Sequence, residues 1–428
     1  MTSDPMERSL TAWLDAHAST PTYLAETMAR TRVTRQRPAW TFAERWIPMQ
    51  LTLRRPMTAL PSFASLFLLA LLTLAIVAGA VLLTGGRTRL APPFGVAGNG
   101  LLAYDSDGSI FVMRPDGSAP VRLATTAGPV SSPTFSPDGS RLAFYGEVAG
   151  EPVLFVAGAD GRDAVAVSTG IGIDLSTGIA LEDNGVAPGL SWAPGSDRLV
   201  FAGVTPDGRH DVYVARADGT ATTAIGPRTR QRVDPAWSPD GQWIAFAGFD
   251  PAEQALVGAY HSRAGLYVMH PDGTGERELA FGDGGSWQYR RPQWAPDPAV
   301  ARIATNIGEP SEYDIAVFDV TTDAMTKLTD DLGADLWPVW SPDGSRIAWS
   351  TSDAATTIAS PDGMDVHSVA GIDYDFVWSP DGTSLYGWKL GDPTTAVIVS
   401  VDGSKRTIEI PTGGAHGEMR YSWQRAAP

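Results

Sequence analysis

Trp340-Ser341-Pro342-Asp343-Gly344 runs into the short strand Arg346-Ile347-Ala348-Trp349, and this stretch decides the fold. Pro pre-sets φ for the second position of a type I turn, and Asp tolerates the third. Gly supplies the positive φ that lets two strands pair after the turn. The phrase is therefore a hairpin corner between antiparallel strands. It recurs as Phe135-Ser136-Pro137-Asp138-Gly139, Trp237-Ser238-Pro239-Asp240-Gly241 and Trp378-Ser379-Pro380-Asp381-Gly382. Degenerate copies stand at Trp192-Ala193-Pro194-Gly195 and Trp294-Ala295-Pro296-Asp297, and a last aromatic, Trp423, lacks the turn. The aromatics are 57, 45, 57, 46, 38 and 45 residues apart.

A period near 40–45 residues with occasional longer units marks a β-propeller. A third strand follows each corner, as in Asp211-Val212-Tyr213-Val214 or Gly265-Leu266-Tyr267-Val268-Met269. A second turn, such as Arg114-Pro115-Asp116-Gly117 or His270-Pro271-Asp272-Gly273, leads into a fourth. Six units open at Phe135, Trp192, Trp237, Trp294, Trp340 and Trp378. Residues 101–124 supply three strands without an opening aromatic, and residues 419–424 supply an opening strand with nothing after it. Together they predict a seventh blade closed by both ends of the domain, with six blades as the alternative.

The repeated aromatic-Ser-Pro-Asp-Gly series resembles the TolB-like, WD-repeat-like propeller repeats, also found in prolyl oligopeptidase relatives. The resemblance spans roughly residues 98–425 and implies binding and assembly more than chemistry. No Gly-x-Ser-x-Gly elbow and no catalytic α/β domain follow the repeats, so no triad carries over. Phosphate-binding glycine motifs are absent as well.

Between Arg55 and Arg87 no residue is charged. The apolar run predicts one transmembrane helix over 62–84, whose segment 63–83 is about 31 Å long as a helix. Arg8, Arg30, Arg32, Arg35, Arg37, Arg45, Arg54 and Arg55 precede it, against Arg87 and Arg89 just after it. The positive-inside rule then predicts a single-pass cell-membrane protein with a cytoplasmic N-terminus and an extracytoplasmic propeller. The domains are expected as a tail with short helices over 1–61, the span 62–84, a linker over 85–99 and the propeller over 100–428. The tail carries an apolar stripe of Leu10, Trp13, Leu14 and His17, and Thr20-Pro21 opens a second helical pattern. It loosely resembles the tails of membrane-bound anti-sigma regulators but lacks their His and Cys zinc motif.

Charge is unevenly divided. Residues 1–89 hold ten Arg and five acids, whereas the rest holds 22 basic and 43 acidic residues. An acidic propeller argues against nucleic acid as a partner. The chain has no Cys, which removes disulfides, Cys-zinc sites and thiol catalysis. His17, His210, His261, His270, His367 and His416 show no metal-ligand spacing. Oxygen-rich turns at Asp105-Ser106-Asp107-Gly108, Glu182-Asp183-Asn184-Gly185 and Asp330-Asp331 match no full calcium loop, which leaves Asp105 and Asp107 as weak metal candidates. No cofactor is otherwise implied.

The long insertions, roughly 169–189, 249–264, 281–291 and 308–312, all fall on connections at one face of the scaffold, the face that usually binds. The residue three before each aromatic enters from that face: Ser132, Gly189, Asp234, Arg291, Trp337, Asp375 and Arg420. With Arg290 and the insertion residues Trp287 and Tyr289, this series is the predicted channel mouth. The expected function is a non-catalytic module for an extracytoplasmic protein or a small polar ligand. A transmembrane signalling regulator, or a propeller hydrolase or lyase acting on polysaccharide, are the alternatives.

Overall fold

The computed structural model describes residues 94–123, 128–173, 189–250, 264–280, 290–309, 312–352, 355–389, 392–402, 404–409 and 421–427. Among them every regular element is a strand, and the strands form seven four-stranded antiparallel sheets. Seven blades, not six, close the ring. Among the described residues no helix is long and apolar enough to cross a membrane. The predicted span 62–84 and the tail before it lie outside the described residues.

Blades are numbered here in chain order. Blade 1 is the composite one, with strand order Tyr421–Ala426, Gly98–Ser106, Ser109–Met113, Val121–Arg122. Its first strand comes from the chain's far end, pairing Trp423 with Leu102 and Tyr421 with Tyr104. The ring is fastened on both sides of this blade. Gln424 Nε2 donates to Gly139 O in blade 2 (2.8 Å), while Asn99 and Asp381 of blade 7 exchange two hydrogen bonds (2.8 and 3.1 Å). Gly139 has φ 70°, and a Cβ there would lie 2.2 Å from Arg425 O, so only Gly fits this corner.

Each residue of the corner phrase has a physical task. The Ser hydroxyl donates to the Asp carboxylate and accepts the N–H five residues on. In blade 6, Ser341 Oγ to Asp343 Oδ1 is 2.6 Å and Arg346 N to Ser341 Oγ is 3.0 Å. The carboxylate also accepts Ser345 N (3.0 Å), and Gly344 N closes the turn on Ser341 O (2.9 Å). The same bonds recur at Ser136, Ser238 and Ser379.

The core is not central but divided among the seven seams between blades. At each seam the opening aromatic of one blade packs on the second strand of the blade before it. The residue beneath it pairs with the residue preceding the earlier blade's aromatic. It is Ala103, Ala143, Ala245, Ala304 or Ala348 at five seams, Val200 at the seam of blades 3 and 4, and Tyr386 at that of blades 7 and 1. Where Ala lies beneath a Trp, the indole N–H reaches back to a main-chain carbonyl of the earlier opening strand. Trp192 donates to Thr134 O (3.2 Å), Trp294 to Ala236 O (3.0 Å), Trp340 to Gln293 O (3.0 Å) and Trp378 to Val339 O (3.1 Å). Trp237 and Trp423, over Val200 and Tyr386, have buried indole nitrogens with no hydrogen-bond partner among the described residues. Among these seams the indole bond accompanies Ala and is absent over Val or Tyr.

Two predictions follow from these contacts. Trp340→Phe removes a satisfied inter-blade bond, whereas Trp237→Phe removes an unsatisfied donor. With similar volume lost, Trp340→Phe should be the more destabilising by about 0.5–1.5 kcal/mol in urea unfolding. The second concerns acid. Burial pushes the Asp138, Asp343 and Asp381 carboxyls up, but bonds from Ser hydroxyls and main-chain N–H groups outweigh it and hold all three below the usual range. Such groups contribute stability that is complete above the unfolded carboxylate value of about 4 and lost as pH falls through the lower folded values. Urea midpoints measured across that window should fall more steeply for the wild type than for Asp343→Asn.

Candidate functional site at the channel mouth

The opening strands run along the axis. Those of blades 1 and 2, 3 and 4, 4 and 5, 5 and 6, 6 and 7, and 7 and 1 pack side by side. Each hairpin reverses direction, so the Ser-Pro-Asp-Gly corners share one end of the ring with the turns between third and fourth strands. The other connections emerge at the opposite end, where the predicted insertions fall. Residues 174–188, 251–263, 281–289 and 310–311 of those insertions lie outside the described residues.

At this end the opening strands are not regular. The ladder to the second strand slips between Ser131 and Thr134, Val233 and Ala236, Arg290 and Gln293, Leu336 and Val339, and Ile372 and Phe376. Each slip is a β-bulge, a device that re-aims a side chain. The bulge residue has left-handed backbone in four blades: Ser132 (φ 56°), Asp234 (φ 52°), Arg291 (φ 47°) and Trp337 (φ 57°). Four members of the series read from the sequence therefore share one unusual conformation. Non-Gly residues in this region concentrate at binding and catalytic sites.

Pro follows every one of the four: Pro133, Pro235, Pro292 and Pro338. Pro carries no N–H, so no ladder donor is stranded after the bulge. A Pro two residues before the opening aromatic is thus a sequence mark of the bulge. The bulge N–H itself, turned out of its own sheet, is taken by the preceding blade. Ser132 N donates to Asp105 Oδ2 (2.6 Å), Arg291 N to Asp234 Oδ2 (3.4 Å) and Trp337 N to Asn306 Oδ1 (3.1 Å). Asp105 and Asn306 are 5% and 1% exposed, so the acceptor side chains are buried. Asn306 carries no periodic signal in the sequence, and Asp105 belongs to the oxygen-rich turn Asp105-Ser106-Asp107-Gly108. Asp105 accepts the Ser132 N–H, and Asp107 is an exposed turn residue with φ 48°. Among the described residues no three acidic or His side chains are grouped to hold a metal.

The mouth residues also touch one another in ring order. A Cβ on Gly189 would come within 2.7 Å of Asp234 Cα. Asp234 binds the main chain of Arg291, whose guanidinium lies 5.1 Å from the Trp337 ring centroid, a cation–π arrangement. An acid, a base and an aromatic from blades 4, 5 and 6 thus form one half-exposed arc. Asp375 lies in the corresponding strand of blade 7 and Arg290 beside Arg291; only their backbones are described. Arg420, Trp287 and Tyr289 lie outside the described residues.

No family model matches the chain. Its similarity to curated proteins falls on TolB homologues: 30% identity over 132 residues with that of Chlorobium luteolum and 28% over 113 with that of Chlorobaculum tepidum. The propeller is TolB-like. These matches take in 31% and 26% of this chain, and 26% and 22% of the relatives, so the chain spans about a quarter of their length. Among solved structures, an oligogalacturonate lyase in complex with manganese superposes with a TM-score of 0.54 at 14% identity, over 76% of this chain and 89% of the lyase. A puromycin-hydrolysing peptidase of Mycobacterium tuberculosis gives 0.52 at 13% identity, over 77% of this chain and 53% of the peptidase. At these identities the likeness is one of fold alone.

Asn306→Ala tests the capture of the bulge. It leaves the half-buried Trp337 N–H without its acceptor, which should cost about 1 kcal/mol in denaturant unfolding. Asn306→Asp, which keeps an acceptor, should recover much of that loss.

Proposed function

We propose that this chain is a membrane-anchored binding module. Its TolB-like propeller takes a polar ligand or a protein partner at the channel mouth and performs no chemistry there. The observation that carries the reading is the arc of Asp234, Arg291 and Trp337. Consecutive blades hold all three in left-handed backbone, two with main-chain N–H groups taken by the blade before. Backbone that costs energy to maintain, presented at the end of the ring that bears the insertions, is suited to pre-organised recognition.

The arc offers a carboxylate, a guanidinium and an aromatic face, the groups that recognise a peptide end or another polar ligand with both charges. The uncharged run at 62–84, with its Arg-rich N-terminal flank, supports anchorage by one helix and an extracytoplasmic propeller. The acidic balance of the propeller disfavours nucleic acid.

The test compares the full-length chain with the double variant Asp234→Asn, Arg291→Asn. Asn tolerates left-handed backbone, so the bulges persist while both charges are removed. Recovery of an extracytoplasmic partner by affinity capture should drop about tenfold or more. Equal recovery would remove the mouth as the binding site.

A further inference from the structure

The seam between blades 7 and 1 closes the ring, and its polar groups are paired differently from those of the other seams. Where an indole is bonded, its acceptor is the carbonyl of the residue just before the earlier blade's aromatic: Thr134 before Phe135, Ala236 before Trp237, Gln293 before Trp294 and Val339 before Trp340. The equivalent acceptor for Trp423 is Val377 O, before Trp378. The Trp423 indole N–H is buried and does not reach it. Tyr386, which pairs with Val377, lies beneath this indole, in the position that Ala holds at the four bonded seams.

Two phenols of the same seam are also without partners. Tyr104 and Tyr386 are both 0% exposed, and neither hydroxyl has a hydrogen-bond partner among the described residues. With Trp423 they make three of the six such buried side-chain atoms among the described residues, so half of them fall in one seam of seven. Tyr386 joins the three. Its ring meets those of Trp423 and Tyr421 edge-on, at centroid distances of 6.2 and 5.1 Å, and Tyr421 pairs with Tyr104 in the ladder. Burial first, then the nearness of Tyr104, pushes the Tyr386 phenol up, and burial raises Tyr104 to about 12. Both hydroxyls keep their protons at neutral pH and can donate or accept. A buried polar atom left unpaired is costly, and three in one cluster call for a shared partner. Trp237 offers the contrast. It brings a single unpaired donor to its seam, where the Tyr267 hydroxyl is already bonded to Glu278 (2.8 Å).

We propose that the closure seam is a binding site for one buried water, held by the Tyr104 and Tyr386 hydroxyls with the Trp423 indole N–H as a third partner. A buried water is held by two to four polar groups, a number that this seam supplies and the Trp237 seam does not. Water both donates and accepts, so it can accept from the indole and from one phenol and donate to the other. It serves here as the indole–carbonyl bond serves at the four other seams: it ties the opening strand of one blade to the blade before. The site is separate from the mouth arc and does not rest on the binding reading.

Tyr→Phe removes a hydroxyl and little else, so the sign of its effect separates a bridged phenol from an unpaired one. In urea titrations of the full-length chain, Tyr104→Phe and Tyr386→Phe should each raise the unfolding equilibrium constant about fivefold, the effect of losing one ordinary hydrogen bond. The double variant should fall well short of the two factors multiplied, because either change disturbs the same water. Unpaired hydroxyls predict the opposite: each substitution removes a costly group, so the unfolding constant stays level or falls. That result, or two losses that multiply in full, would overturn the proposal. A crystal structure of the wild-type chain gives a second readout should a variant fail to fold. It should show one water within about 3 Å of both phenol oxygens, and a dry seam would overturn the proposal as well.

Discussion

The structure depends on an aromatic ring from each opening strand packing on the blade before, and at four seams that ring is an indole that also donates to a main-chain carbonyl there. Trp192, Trp294, Trp340 and Trp378 make this bond, and each lies over an Ala. A blade cannot bury its faces alone, so every seam needs a large apolar group from one side and space for it on the other. The indole fills that space and satisfies a polar atom in the same step. Where Val200 or Tyr386 replaces Ala, packing persists and the bond does not. The seam of blades 3 and 4 has other ties. Ser191 Oγ accepts Trp237 N (3.0 Å), and the fully buried Arg232 is paired with Asp211 and Glu276.

The same strands that carry the indoles carry the mouth, and this couples stability to function. At one end the strand is clamped by its aromatic. Three residues earlier it bulges, and an acceptor from the preceding blade holds the bulge in blades 2, 5 and 6. Left-handed backbone in Ser132, Asp234, Arg291 and Trp337 would relax in an isolated strand. It persists because two blades determine it together. The arc is therefore a property of the closed ring, not of any one repeat.

Much of this was legible in the sequence. The corner phrase gave the blade count because Ser, Pro, Asp and Gly each have a local task that forces residue type. Counting back from the aromatics reached Ser132, Asp234, Arg291 and Trp337, which share a left-handed bulge conformation. Two features escaped that reading. The Pro after each of the four left-handed residues was available but unused. Asn306 and Asp105 act across a seam on residues 31 and 27 positions away, and no local pattern reports a contact between blades. The exceptions at Val200 and Tyr386 are likewise invisible until the register shows which residue lies beneath each indole.

Amide hydrogen exchange, resolved to single residues, tests the coupling between blades most directly. If the preceding blade captures the bulge donors, the N–H groups of Ser132, Arg291 and Trp337 will be protected to the level of the buried strand Arg302–Glu309. Exchange of these three amides as fast as those of the exposed turn Thr321–Asp323 would contradict a mouth held rigid by neighbouring blades.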